Sequence, residues 1–589
     1  MLTHSRVTRM RPWGLNVPAA VPAMSRVGFA AQADRFVSAP RFASKQPTTL
    51  FEGFDVSRPN VETPYVFGTA GYRPGRAITA DEVKTIAHAV ADYALSQNGV
   101  LASKANRELQ VNSPTVVIGR DTRESSREYL PLLSAVLRSR GVSVLEAEGP
   151  LSTPLASYLT ANSTAYHPHK KQAVLAVILT ASHNPYQEGG IKVLGPSGSN
   201  AQPAVTQQLQ LNQLGPARLG FNSDLTPQAQ TWTVNPNKAY IQGLKDLFKP
   251  KEFKGLGPIP LDIHYGAGAP MAHVLKAFGI KHTVLREGNP PEGYNNNSEP
   301  KPENLVELGQ QVVATKAPIG IALDGDADRF AAVDETGKLI ETTDCLLLAL
   351  DYLMGQKGWS GLMGRSQSTS RVMDDLYQAS GGTDAVYETP VGFKWYEKLF
   401  AQAQKNVVMV MESSGGATSG YHSVPEKDGL FMDLVLLAAA NQAKQQGLTV
   451  SQKIQAIRSS LPTRYSFIET GLDLRSASDG AKDRVEVTMK HLFDSGGHIG
   501  QFAIDRDASW LNAMDLQARN GNDKPDGYKF YLNDGKHWVL VRPSGTEAKF
   551  RIYVDASSQQ TEQDAQKYRD AILEAITLEI DKAANPQNY

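Results

Sequence analysis

The sequence predicts an α/β protein of several layered domains, and three observations predict it. Short runs rich in Val, Ile and Leu alternate with amphipathic stretches of helical period, the signature of strand–helix–strand layers. The chain has 589 residues, and at roughly 150 residues per domain that length suggests about four domains. Several apolar runs stop at loops rich in Ser, Asp, Gly or Arg, and loops held by a rigid scaffold are where functional groups concentrate.

Taken in order, an ordered body is expected from near Val61. Thr79 and Glu82 make a capping box, and the helix after it lines up Val83, Ile86, Ala87 and Val90 on one face. A strand is expected at 116–118, ending in Gly119-Arg120-Asp121-Thr122-Arg123. A helix at 130–137 and a strand at 142–145 follow, then the buried run 174–179. The Gln-, Pro- and Asn-rich stretch 195–235 reads as a long connection. A second unit runs from the strand at 261–264 to that at 330–333. A third holds a helix at 346–354, a strand at 407–411 and a helix at 431–440, and ends near Pro462. The last has strands at 538–541 and 550–554 and a terminal helix at 561–580. The expected spans are therefore 1–60, 61–222, 223–338, 339–461 and 462–589.

Lys plus Arg and Asp plus Glu both number 60, so the formal net charge is zero. No global field draws in nucleic acid or an anionic membrane, and neither is an expected partner. No apolar run approaches the ~18 residues of a membrane-crossing helix. The one cysteine, Cys345, excludes a disulfide within the chain and a multi-cysteine metal site. Its apolar neighbours make it a buried thiol. The span 1–60 holds six arginines before Glu52 and one acid, Asp34. It reads as a disordered extension on a cytoplasmic protein, with an organellar transit peptide as the alternative.

Four loops carry chemistry. Thr180-Ala181-Ser182-His183-Asn184-Pro185 presents a hydroxyl at a strand end, stiffened by the proline. Asp324-Gly325-Asp326-Ala327-Asp328-Arg329 offers three carboxylates at alternate positions, hard ligands for Mg²⁺, with a guanidinium beside them. An EF-hand reading fails because Arg329 stands where that loop needs glycine. Glu412-Ser413-Ser414-Gly415-Gly416 suits vicinal sugar hydroxyls, and Lys394 adds a cation. Arg542-Pro543-Ser544-Gly545-Thr546 makes a compact anion nest.

These loops, in this order, resemble the α-D-phosphohexomutase superfamily, from about Phe67 to the C-terminus. Phe67-Gly68-Thr69-Ala70-Gly71-Tyr72-Arg73 and Gly189-Gly190-Ile191-Lys192 belong to the same resemblance. It implies three related α/β domains with mixed sheets and a C-terminal α+β domain, similar to TATA-box-binding protein, around a central cleft. It also implies Ser182 as a phosphoserine and as a metal ligand with Asp324, Asp326 and Asp328, one Mg²⁺ per chain. Arg329 would neutralise charge on the transferring phosphoryl group, and His183, Lys192 and Arg73 are the candidates for moving protons. Lys394, Glu412, Ser414, Arg542, Ser544, Gly545 and Thr546 would bind a hexose phosphate.

Within the superfamily, Pro390-Val391-Gly392-Phe393-Lys394-Trp395 and Tyr421-His422 with Glu426-Lys427-Asp428-Gly429-Leu430 look like phosphoglucomutases. The expectation is glucose 1-phosphate and glucose 6-phosphate interconversion through glucose 1,6-bisphosphate, by a monomer or homodimer. A phosphomannomutase or dual-specificity enzyme is the alternative. Pro74, after Arg73, and Ala548, after the phosphate loop, depart from the usual pattern. A serine hydrolase is disfavoured because adjacent Ser182 and His183 rarely let a base reach its hydroxyl and no G-x-S-x-G elbow surrounds them. A non-catalytic sugar phosphate sensor would not need the intact serine and Asp cluster.

Overall fold

The computed structural model describes residues 50–68, 71–96, 114–215, 229–299, 301–402, 406–474, 477, 480–509, 527–543 and 549–588. A short antiparallel hairpin, β1 (Leu50–Phe51) and β2 (Phe54–Asp55), comes first. The first large sheet has β3 (Thr115–Arg120), β4 (Ser143–Ala147), β5 (Leu175–Leu179), β6 (Ile191–Leu194) and β7 (Thr231–Val234). Their order is β6-β5-β3-β4-β7, all parallel except β6. Strand β5 is buried throughout, as expected where both faces are covered. Its period of two sorts its side chains. Leu175, Val177 and Leu179 enter one core with the helices Ala80–Leu95 and Glu124–Ser139, while Ala176 and Ile178 enter another.

The second sheet has β8 (Ile259–Asp262), β9 (His282–Leu285), β10 (Ile319–Leu323), β11 (Phe330–Asp334) and β12 (Leu339–Ile340), ordered β12-β11-β10-β8-β9. The third has β13 (Leu362–Ser366), β14 (Tyr387–Thr389), β15 (Val407–Glu412) and β16 (Gly416–Thr418), ordered β14-β13-β15-β16. Both are parallel at the centre with antiparallel strands at one edge. One core runs unbroken through all three units, from Leu145 through Ile321 to Phe431. The last sheet is antiparallel: β17 (Arg464–Asp473), β18 (His498–Ile499), β19 (Phe502–Asp505), β20 (Tyr528–Leu532), β21 (His537–Pro543) and β22 (Lys549–Ser558). The helices Ala481–Ser495 and Glu562–Ala584 cover one of its faces and share a separate core with it. Three α/β layers and an α+β layer are thus the observed architecture.

Several boundaries differ from the expectation. The body starts before Val61: the hairpin precedes it, and Val56 is buried with Phe51 and Phe54 against the first core. Two-residue strands are too short to show a period. The connection 195–235 contains the helix Pro203–Gln213 and strand β7, which joins the first sheet beside β4. The first layer therefore extends past residue 222, to Val234. Strand β7 lies on an edge with alternate residues exposed, so it carries no buried run. The Thr79 capping box is present, with Glu82 N–H 3.3 Å from Thr79 Oγ1 and Thr79 N–H 2.7 Å from Glu82 Oε2. Cys345 is buried, and burial raises its thiol pKa. The extension 1–49 lies outside the described residues.

His88 ties the N-terminal segment down. Its Nε2 lies 3.0 Å from the Val56 carbonyl and its Nδ1 3.3 Å from Arg140 Nη1. Burial, then the Arg140 charge, lowers its pKa to about 4. Between that value and the ordinary value of ~6.5, the unfolded chain binds a proton that the folded chain refuses. The contribution of His88 to stability is therefore full above that window and falls as pH drops through it. His88→Gln, which can still donate to Val56, should flatten the fall in urea midpoint between pH 7 and pH 5. An unchanged slope in that variant refutes the assignment.

Candidate active site

Ser182 ends β5 with φ at +55°, a left-handed conformation that costs of order 1 kcal/mol for a residue bearing a Cβ. Arg123 holds it there. Its guanidinium donates to the carbonyls of Ser182 (2.8 Å), Asn184 (2.8 Å) and Glu188 (2.9 Å), and also to that of Pro185. Asp121 in turn fixes Arg123 through its Nε at 2.9 Å. The Gly119–Arg123 loop is therefore the clamp of the serine loop. Ser182 Oγ lies 3.2 Å from His183 Nδ1.

The carboxylate loop approaches this serine backbone to backbone. A Cβ on Gly325 would lie 2.5 Å from the Ser182 carbonyl oxygen, so only glycine fits. Asp324, Asp326 and Asp328 are at most 1% exposed, and one oxygen from each lies within 4.8 Å of the others. Asp324 Oδ1 accepts from the Arg329 amide at 3.1 Å. Asp326 Oδ2 accepts from Lys192 Nζ (2.6 Å) and Thr153 Oγ1 (2.7 Å). Asp328 Oδ2 accepts from Lys192 (2.9 Å) and pairs with Lys427 (3.3 Å). The second oxygens, Asp324 Oδ2, Asp326 Oδ1 and Asp328 Oδ1, have no hydrogen-bond partner among the described residues. Buried carboxylate oxygens are rarely left unpartnered. Three together, all hard donors, fit a Mg²⁺-like cation.

Burial, then the charges of Asp326 and Asp328, raises the pKa of Asp324. Burial also pushes Asp328 upward, but Lys192, Lys427 and Arg329 outweigh it and hold its pKa low. For Lys192 burial pulls down, and Asp326 and Asp328 more than reverse it. Lys192 is thus a fixed cation. Burial, then the charges of Arg329 and Arg73, lowers the pKa of His183 and keeps the ring neutral. Arg73 stands in the field of all three aspartates. The β5–β6 ladder sets Lys192 opposite Ile178, and the Tyr72 amide adds an isolated bridge to Ile191 at 2.8 Å.

The sugar loop follows β15. Glu412 Oε1 accepts from the Gly392 amide at 2.7 Å, which joins it to the Lys394 segment. The Phe330 amide donates to the Gly415 carbonyl at 3.1 Å, tying this loop to the carboxylate loop. Ser414 lines a cavity of about 690 Å³, together with Glu299, Ser413, Glu469 and Arg551. Lys394 lies on the other side, against Gly68, Gly71 and Asn200, with its Nζ 5.1 Å from the Trp395 ring centroid. Arg542 is described and pairs with Arg551 across the β21–β22 ladder. Ser544, Gly545 and Thr546 lie outside the described residues. Sequence reasoning gave no role to Thr153, Lys427, Arg123, Glu469 or Arg551. The last two had no signal beyond being charged residues in strands.

Comparison with known proteins agrees with this geometry. Residues 65–212 match the family description "Phosphoglucomutase/phosphomannomutase, alpha/beta/alpha domain I", 238–337 match domain II and 342–460 match domain III. Residues 503–574 match the C-terminal domain of the same family. A phosphoglucomutase/phosphomannomutase of Thermococcus kodakarensis is 28% identical over 84% of this chain and 95% of its own length. A phosphoglucosamine mutase of Oceanobacillus iheyensis is 28% identical over 79% of this chain and 90% of its own. The open form of parafusin, a phosphoglucomutase from Paramecium, shares the fold with a TM-score of 0.65 at 19% identity, covering 89% of this chain and 97% of its own.

A cation bound only by the folded chain stabilises it by mass action, about 2.7 kcal/mol at a hundredfold excess over Kd. Mg²⁺ should therefore raise the melting temperature of the protein by a few degrees, reversibly with EDTA. Asp326→Asn should lose that shift. An equal shift in the variant would place the cation elsewhere.

Proposed function

We propose a reaction that proceeds from a plain premise: the chain belongs to the phosphoglucomutase/phosphomannomutase family, whose members are phosphohexomutases. The reaction is the interconversion of glucose 1-phosphate and glucose 6-phosphate, with Ser182 as the phosphoryl carrier. The observation that carries it is the seat of Ser182, held in a left-handed turn by Arg123 with its carbonyl packed on Gly325 between the carboxylates. A lone serine hydroxyl is a weak nucleophile, whereas a phosphoserine is a group donor.

Asp324, Asp326 and Asp328 would hold Mg²⁺ through their unpartnered oxygens. When bound, the ion neutralises charge on the phosphoryl oxygens. Arg329, whose buried Nε has no hydrogen-bond partner among the described residues and lies 4.0 Å from Asp324 Oδ2, would add its charge to the same group. Lys192 keeps its charge and fixes Asp326 and Asp328. Neutral His183 is the group placed to take a proton. In the first half-reaction the Ser182 O–P bond breaks and the sugar O6–P bond forms, while the O6 proton leaves to the base and the Ser182 oxygen takes up a proton. Glucose 1,6-bisphosphate results. After it turns over, the O1–P bond breaks and the Ser182 O–P bond forms again, while the Ser182 hydroxyl gives up its proton and O1 takes one up.

The substrate phosphate remote from Ser182 would sit on Arg542, Ser544, Gly545 and Thr546, and the sugar hydroxyls on Glu412 and Ser414. Lys394 and Trp395, with the segment Tyr421 to Leu430, favour glucose. The name of the Thermococcus kodakarensis relative covers both sugars, so a dual preference is the second reading.

Ser182→Ala should lower turnover by at least about 1000-fold while the circular dichroism spectrum and sugar phosphate binding persist. Near wild-type turnover in that variant would sink the mechanism. Side by side with Mg²⁺ and a trace of bisphosphate, glucose 1-phosphate should turn over faster than mannose 1-phosphate. The reverse order would overturn the sugar assignment and leave the phosphoserine chemistry standing.

A further inference from the structure

We propose that Ser413, Glu469 and Arg551 form a relay that couples the sugar loop to the phosphate-binding strand and keeps the bisphosphate on the enzyme while it turns over. The proposal rests on the phosphoserine reading above and names positioning residues for that reaction.

Ser413 sits between the two sugar-loop residues Glu412 and Ser414. Its hydroxyl lies 3.3 Å from Glu469 Oε2, on β17 of the last domain, and 3.3 Å from Ser368 Oγ of its own domain. The other carboxylate oxygen, Glu469 Oε1, accepts from Arg551 Nη1 at 2.8 Å. Arg551 stands directly opposite Arg542 on the adjacent strand, which puts both on one face with Cβ atoms ~5 Å apart. That face is the one turned away from the helices of the last domain, because the neighbouring Phe550 and Ile552, and Val541 opposite, fill its core. A continuous polar line therefore runs from the loop that would read sugar hydroxyls to the strand that would hold the remote phosphate.

Tyr465 of β17 packs into the core of the first three domains, and much of the rest of this joint is polar. Ser370 Oγ lies 2.6 Å from Asp555 Oδ1, and Arg371 donates to the carbonyls of Gly535 (2.6 Å) and Lys536 (2.8 Å). Lys529 Nζ reaches the Gln367 carbonyl at 2.9 Å. Polar interfaces of this kind are the ones across which domains move. The cavity of about 690 Å³ opens between the same partners, with Ser413, Glu469 and Arg551 in its wall. The Ser370–Asp555 contacts anchor the last domain, and the Ser413–Glu469 contact is the one that touches the sugar loop. A sugar seated on this loop would hold Ser413 in place, and with it Glu469 and the Arg551 guanidinium beside Arg542. The intermediate has to release both phosphates from their first seats without leaving. A joint that stays shut while the sugar loop is occupied does that.

The test labels Ser182 with ³²P-phosphate, mixes the phosphoenzyme with glucose 1-phosphate and counts labelled bisphosphate released into solution. In Glu469→Gln and in Arg551→Gln, the first transfer from Ser182 should stay within about twofold of the parent. Released bisphosphate should rise about 2- to 5-fold, in the range an exposed ion pair supports, and more added bisphosphate should be needed for half-maximal activity. The double variant should be no worse than either single one, because the three residues act as a unit. Unchanged release in both variants overturns the relay. So does a first transfer that falls in step with the rise in release, the result expected of plain structural damage. A parent that passes no label from Ser182 overturns the reaction itself, and that outcome is separate from variants that transfer normally yet release no more.

Discussion

Three ionised carboxylates cannot be buried within 4.8 Å of one another unless cations are buried with them. At an effective dielectric of 20, two unit charges 4.8 Å apart repel by about 3.5 kcal/mol, so the three pairs of the Asp324 loop cost about 10 kcal/mol or more. On the same scale Lys192, at 2.6 Å and 2.9 Å from Asp326 and Asp328, returns about 12 kcal/mol. Lys192 from the first domain thus offsets much of the cost of ionising Asp326 and Asp328, with Lys427 and Arg329 adding to that offset at Asp328. The loop comes 134 and 136 positions later in the chain than the lysine that permits it. The alignment of the first two domains is therefore a condition for the charged site to exist. Thr153 and Lys427 extend the same condition to a third element each.

The domains divide into two kinds by what joins them. The first three share one apolar core, so they behave as a rigid half that holds Ser182, the aspartates and Glu412 in fixed relation. The last has a core of its own and, apart from Tyr465 at the start of β17, meets the third mostly through ion pairs, hydroxyls and carbonyls. Apolar contact fixes, whereas polar contact permits exchange with water and so permits movement. The chemistry that must not move lies in the rigid half. The strand proposed to bind phosphate, which would meet a ligand in two orientations, lies in the other.

The sequence revealed what is buried on both faces and hid what is not. Strands β3, β5, β10 and β15 were legible because continuous apolar runs leave no other reading. Strand β7 was not, since an exposed edge strand held by its ladder needs no apolar pattern. The helix Pro203–Gln213 was hidden for a related reason: Gln210 and Gln213 side chains accept from the Phe67 and Tyr65 amides, so amides do the docking that an apolar stripe usually does. Within the site, the residues expected to meet the ligand stand in loops with distinctive spelling. The residues that hold them, such as Arg123 and Thr153, lie 59 and 173 positions from the groups they grip. No local pattern can announce a partner at that distance.

That division also bears on which sugar is served. A nest that accepted either phosphate of a bisphosphate could not discriminate by the phosphate, because both ends would visit it. Discrimination would then fall to the groups proposed to see the sugar ring, and these belong to the rigid half: Glu412, fixed by the Gly392 amide, and the Lys394–Trp395 segment that the same glycine introduces. Glucose and mannose differ only in the configuration of one hydroxyl, so a difference in rate has to come from one hydrogen bond made or lost there, an effect of about 1–3 kcal/mol. A site built this way excludes foreign phosphates poorly at its mobile end and sugars well at its rigid end. Its selectivity therefore depends on how firmly Gly392 and Phe330 hold the sugar loop in place.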